Sequence, residues 1–209
     1  MFYRTLTGLS MSILIGVLAA GVSAVMALIL GICAATLGKK VDSAISFAID
    51  TVMGIPHILL LILISYAMKG VIAGVALTHW TSLARLIRGE VMQLRESEYI
   101  QIAGKLGLGK WEIAKKHIVP HVLPQFIVGL VLLFPHAILH ESSITFLGFG
   151  LSTEQPAIGV ILSESMRYLI MGKWWLAVFP GMMLVLTVVL FEKGGTALRQ
   201  LLDPGSVHK

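Results

Sequence analysis

The strongest constraint on this chain is a polar, basic segment lying between two long apolar runs. Residues 98–120 read EYIQIAGKLGLGKWEIAKKHIVP, whereas 71–86 is nearly free of charge and 122–139 is apolar except for Gln125 and His136. About 20 apolar residues suffice for a helix to cross a bilayer. A charged interruption of roughly thirty residues between such runs is an aqueous loop with structure of its own. Gly104, Gly107 and Gly109 break it, so 98–103 and 111–117 are each expected to form a short helix. Composition agrees that lipid is the main solvent. Of the 209 residues, 56% are hydrophobic and 13% charged, with a mean hydropathy of +0.89, whereas a soluble domain carries about 25% charged residues.

Taken in order, the chain predicts an all-α, polytopic membrane protein with about five transmembrane helices. The spans fall at 8–37, 43–68, 71–88, 121–140 and 174–192, in a single domain covering 1–209. The loop at 89–120 and a second polar region at 141–173 separate the later spans. The first run exceeds a signal-peptide core of about 7–15 residues and reads as a retained helix. Its small residues Gly16, Ala19, Ala20, Gly21 and Ala24 fall partly on one face and permit close helix packing. Asp50 lies about two turns inside the second span, which is costly in lipid unless the residue is paired or faces a cavity. Gly54-Ile55-Pro56 should kink that span, with His57 directly after it. Residues 161–169 form an amphipathic piece, and Trp174-Trp175 marks a membrane interface.

Five spans alternate sides, so loop charge sets the orientation. Lys39, Lys40, the block from Arg85 to Lys116, and a tail with Lys193, Arg199 and Lys209 share one side. These are 12 of the 16 basic residues. That side is cytoplasmic, which places 89–120 and the C-terminus inside and 141–173 outside. The net charge of +5 therefore reflects topology. No basic face interleaved with aromatic residues is present, so nucleic acid is not an expected partner.

Catalytic and nucleotide-binding motifs are missing. Residues 104–110, GKLGLGK, look Gly-rich but follow no strand and lack a Ser or Thr after Lys110, so they are not a phosphate loop. His140-Glu141 has Ile144 where a zinc protease needs its second His. No Gly-x-Ser-x-Gly occurs, and the one cysteine, Cys33, lies in an apolar run where a packing role is expected. The ionisable residues within or at spans are Asp50, His57, His79, His136, His140 and Glu141, candidates for lining a path through the membrane. His136 and His140 lie four apart on one helix face and His57 and His79 near mid-membrane, so each pair is weighed as a metal contact against ordinary interhelical hydrogen bonding.

The central loop resembles the cytoplasmic signature loop of ABC-importer membrane subunits. That pattern runs Glu-Ala-Ala, three residues, Gly, nine residues, Ile, one residue, Leu-Pro. Here Gln101-Ile102-Ala103, Gly107, His117 and Val119-Pro120 stand at those positions, with Ala103, Gly107 and Pro120 matching strictly. The Tyr99-Ile100 before the triad and the His117-Ile118-x-Pro120 ending look like the dipeptide, oligopeptide and nickel branch. The likeness extends to Trp80 through Arg88, Phe146-Leu147-Gly148 and Phe179-Pro180-Gly181. It implies a type I permease core whose first family helix is missing here, by truncation, a late start codon or a chosen boundary. It further implies two ATPase subunits, which bind ATP and Mg while this chain holds no cofactor. A second homologous permease, an extracellular solute-binding protein and the lipid bilayer are the other implied partners. Gly107 would turn the chain between two helical pieces, Ala103 would allow close approach, and Pro120 would start the next span. Glu98, Lys105, Lys110 and Lys115 would make rim contacts with an ATPase.

Three other readings stay open at this point. An ion-coupled secondary transporter would use Asp50, His57 and Glu141 as relay groups. A membrane enzyme lacks its motifs, and a binding scaffold is excluded by nothing in the sequence. Peptide and nickel or another metal chelate are both open as cargo.

Overall fold

The computed structural model describes residues 1–152 and 154–202, the side chain of Lys110 excepted. Lys209, counted above for orientation, lies outside the described residues, as does the Lys110 side chain expected at the loop rim. Among the described residues the regular elements are all helical, as expected. They are α1 (Phe2–Thr36), α2 (Lys39–Gly54), α3 (His57–Ala67), α4 (Val71–Arg95), α5 (Glu98–Lys105), α6 (Lys110–Ile113), a π turn (Ala114–Ile118), α7 (Val119–Phe146), α8 (Ile158–Leu169) and α9 (Trp175–Leu202).

The core is the seam between α1 and α4, with α7 laid across both. Small side chains make the seam possible. Ala19, Ala20, Ala24 and Ala27 of α1 are at most 1% exposed, so the face expected from their spacing is the packing face. At Gly31 the backbones come so close that a Cβ would sit 2.9 Å from the Ala84 carbonyl oxygen and 3.0 Å from Ile87 Cβ. Gly21 points away from the seam, with nothing within 4 Å of where a Cβ would stand. In lipid, such close approach supplies the dispersion contacts that water would otherwise drive. Polar bonds add to it. The buried Ser23 hydroxyl donates to the Ala76 carbonyl at 2.7 Å, and Arg95 donates to the Ala35 carbonyl at the far end of the same pair.

Three helices are long and apolar enough to cross a membrane: α1, the continuous run Trp111–Phe146, and α9. The α2–α3 pair makes a fourth if it counts as one span. By length and composition alone, three or four spans thus stand where five were expected. The span expected at 71–88 belongs to α4, which at 25 residues reaches about 37 Å. It falls outside the apolar set because it carries Thr78, His79 and Thr81, all buried. These groups meet protein rather than lipid, so the helix needs no apolar outer surface there.

The expected span 43–68 holds two helices meeting at 103°, a break where a kink was expected. Ile55 is extended, with φ −87° and ψ 139°, because the Pro56 ring disfavours helical backbone in the residue before it. Two ion pairs hold α2 against α4, Asp42 with Arg88 and Asp50 with Arg85. Asp50 thus has the partner its position demanded.

The loop differs in one respect from the expectation of two short helices on either side of a break. The first piece is α5, and Gly107 turns the chain at φ +90°, a conformation that side chains resist. The second piece is not separate. It runs through the π turn into α7 as one rod from Lys110 to Phe146. Pro120 has no N–H for the carbonyl four residues back, and its ring crowds that carbonyl. The wider π turn immediately before it accommodates the mismatch. The last helix likewise continues past residue 192 to Leu202, where a polar tail was expected.

Gly31→Val should lower the thermal unfolding midpoint in detergent, since overpacking a tight seam costs about 1–3 kcal/mol, while Gly21→Ala, which meets open space, should not lower it.

Candidate functional site

The break between α2 and α3 puts His57 at the first position of α3, facing the middle of α4 and the later part of α7. There it meets His79 and His140. The ring centroids lie 4.7 Å apart for His57 and His79, 4.6 Å for His57 and His140, and 4.9 Å for His79 and His140. The rings meet edge to face, at interplanar angles of 61° to 80°. They open onto a cavity of about 350 Å³ shared with Val52, Met53, Ser82, Leu133 and His136. His79 Nδ1 lies 2.9 Å from the Val75 carbonyl, to which it donates. That bond fixes the tautomer and leaves Nε2 as the free lone pair. Nε2 of His79 and Nε2 of His57 are both buried and have no hydrogen-bond partner.

The six candidate path residues separate in the structure. His57, His79 and His140 form one cluster, and His136, one turn back along α7, lines the same cavity while remaining exposed. The pairs weighed from spacing, His57 with His79 and His136 with His140, thus give way to a set of three from three helices. No spacing rule along one chain joins α3 to α7, so the sequence held no signal for it. Asp50 is outside the cavity lining, engaged with Arg85.

Glu141 is one residue beyond His140 and about 100° around the helix, so it points to a different side and is not in the cavity lining. It is fully buried. Thr145 donates to its Oε1 at 3.0 Å, Ser142 donates to Oε2 at 3.3 Å, and Ser12 of α1 bonds it too. Ser12 and Thr145 also accept the backbone N–H groups of Ile158 and Leu151. Glu141 thus latches α1, α7 and the chain leading into α8 together, and it does not line the cavity.

The loop residues form a second surface. Ile100 and Ala103 bury the inner face of α5, beside Thr36, Arg95 and Ile118. Tyr99 packs against His117 at a centroid distance of 6.1 Å, tying α5 to the π turn. Glu98, Gln101 and Pro120 are exposed, and Gln101 Nε2 donates to the Glu96 carbonyl. The outer tip is defined by Ile102, which departs from the motif at its second position, and by Leu106 and Trp111, which the motif does not single out and which are 79% and 83% exposed. Ile102 and Leu106 are four apart, a helical-face spacing that marks them as one apolar stripe.

A helical membrane body with an apolar-tipped helical platform at the end of a core rod is the architecture of a membrane transport permease. The chain belongs to the family described as "Binding-protein-dependent transport system inner membrane component", whose model matches residues 27–206. Among its relatives, the "Dipeptide transport system permease protein DppC" of Bacillus subtilis (strain 168) is 31% identical over 207 residues, 97% of this chain and 65% of that protein. The "Oligopeptide transport system permease protein OppC" of the same organism is 31% identical over 207 residues, 97% of this chain and 68% of that protein. This chain therefore spans about two thirds of the length of these relatives. Among solved structures, an inward-facing form of the MetNI methionine ABC transporter superposes with a TM-score of 0.76 at 16% identity, covering 97% of this chain and 98% of that one. An amino acid ABC transporter with histidines gives 0.68 at 16% identity, over 95% and 94%. At such identities the likeness is one of fold.

Glu141→Ala should destabilise the protein, leaving the Ser12, Ser142 and Thr145 hydroxyls short of an acceptor at about 1–3 kcal/mol for a buried unpaired group. Glu141→Gln, which keeps one oxygen, should cost less. Thermal unfolding followed by size-exclusion fluorescence reads the order.

Proposed function

We propose that this chain is the permease subunit of an ATP-driven importer in the cytoplasmic membrane, forming half of a path that a second, homologous permease completes. An extracellular solute-binding protein delivers cargo to the 141–173 side. Two ATPase subunits, holding ATP and Mg, dock on the loop at 89–120 and drive the change of access. The cargo class is peptides or nickel and other metal complexes. The chain itself performs no catalysis.

The observation that carries this reading is the platform. Ile102, Leu106 and Trp111 present an apolar tip at the head of one helical rod that runs on as α7 to the histidine cavity. An apolar tip has no reason to face water unless it is covered. A rod joined to the core passes displacement inward, where a slack loop would absorb it. Family membership and the peptide-permease names of the relatives support the same reading. So does the concentration of basic residues on the loop side, which supports a cytoplasmic platform and C-terminus. An ion-coupled relay through Asp50, His57 and Glu141 is not favoured: Asp50 is engaged by Arg85, Glu141 is enclosed by hydroxyls, and neither lines the cavity with His57.

Two measurements test the proposal. In a Cys33→Ala background, Leu106→Cys should react with a membrane-impermeant maleimide in inverted vesicles washed free of peripheral ATPase and stay unlabelled in intact cells; labelling from outside overturns the orientation. Gly107→Val meets no neighbour within 4 Å but is strained at φ +90°. It should leave the complex assembled while uptake falls roughly tenfold, a coupling loss of about 1.4 kcal/mol. Unchanged uptake would count against the platform as the point of coupling.

A further inference from the structure

The cluster of three histidines has the features of a metal site. Three helices each contribute one imidazole, and one ligand nitrogen from each lies within 4.8 Å of the other two. With metal–nitrogen bonds of about 2.0–2.1 Å, a tetrahedral ion needs its ligands about 3.3 Å apart. Small ring rotations close that difference. His79 is oriented as a ligand should be: Nδ1 is tied to the Val75 carbonyl and Nε2 is buried with its lone pair unused. Two imidazole nitrogens, His57 Nε2 and His79 Nε2, are buried with no partner among the protein's own groups, as the donor atoms of a metal site would be.

The donor set selects the ion. The cavity lining holds imidazoles, hydroxyls and the Met53 thioether but no carboxylate. Magnesium, calcium and manganese prefer oxygen ligands, whereas imidazole suits cobalt, nickel, copper and zinc. Three neutral ligands supply no charge compensation and leave at least one coordination position open to a cavity of about 350 Å³. That is a reversible site, unlike the closed four-ligand shell of a structural metal. His57 sits at the α2–α3 break, so a change in that angle withdraws one ligand of the three.

We propose that His57, His79 and His140 bind a late first-row divalent transition-metal ion in transit, as the free ion or with a small chelating ligand filling its open positions. The binding site stands on its own geometry; its role as a cargo station rests on the permease reading above.

The test uses the full chain purified with its partner subunits, carrying a tag without histidines. Cobalt(II) is the probe, because its visible ligand-field bands report imidazole ligation. The wild type should bind one equivalent per chain at roughly micromolar affinity. His79→Ala and His140→Ala should weaken it by roughly 100-fold and abolish the bands, whereas His121→Ala, on a different cavity, should not. His79→Gln, close in volume, should weaken binding equally, and subunit assembly measured for each variant shows that the fold survives. Binding from cobalt salt alone assigns the free ion; binding only with added L-histidine assigns a chelate. A wild-type complex that holds no more cobalt or nickel than the triple His57→Ala, His79→Ala, His140→Ala variant overturns the metal site and leaves the permease reading standing. A chain that assembles with no ATPase overturns the permease reading whether or not it binds cobalt.

Discussion

The structure depends on how closely α1 and α4 approach. Alanines along α1 and the missing side chain of Gly31 let two backbones meet almost directly, and the contact is repeated over most of both helices. Because α4 is enclosed in this way, it can carry groups that lipid would reject. Thr78, His79 and Thr81 lie inside the protein, and Arg85 and Arg88 reach out to hold α2 through Asp50 and Asp42. A helix that faced lipid could not keep this set without large desolvation costs.

Two adjacent residues of α7 show how burial is made tolerable in opposite ways. Glu141 is fully enclosed and meets hydroxyl donors on its own helix and on α1, so its polarity is spent on holding the fold. His140 turns to a different side, into a cavity where the neighbouring imidazoles have nitrogens with no partner. Satisfied polar groups rigidify a core; unsatisfied ones are retained where something other than the fold uses them.

Much of this was legible in the sequence, and the limits have physical causes. The helical class, the small-residue face of α1, the turn at Gly107 and the need of Asp50 for a partner all follow from local chemistry. Hydropathy also located the loop. It gave α4 its span as well, although a strict apolarity count leaves that helix out, because such a count assumes lipid where α4 meets protein. The break at Ile55-Pro56 was placed correctly, but 103° exceeds what a proline alone implies, since the angle is set by what α2 and α3 pack against. The meeting of His57, His79 and His140 depends on how three helices cross, which no periodicity along one of them encodes. Glu141 read as a path residue because ionisable groups in spans are suspect by default, and only the surrounding hydroxyls mark it as a latch.

The π turn below Pro120 has a mechanical consequence. Were the helix to end at that proline, the outer segment would swing as a flap. With the turn in place, the helix continues without a break over thirty-six residues from Trp111 to Phe146, with Pro124 and Pro135 inside it. Under the proposed coupling, a tilt of its exposed tip would be carried towards His140, in the manner of an oar pivoting against the gunwale that α1 and α4 provide.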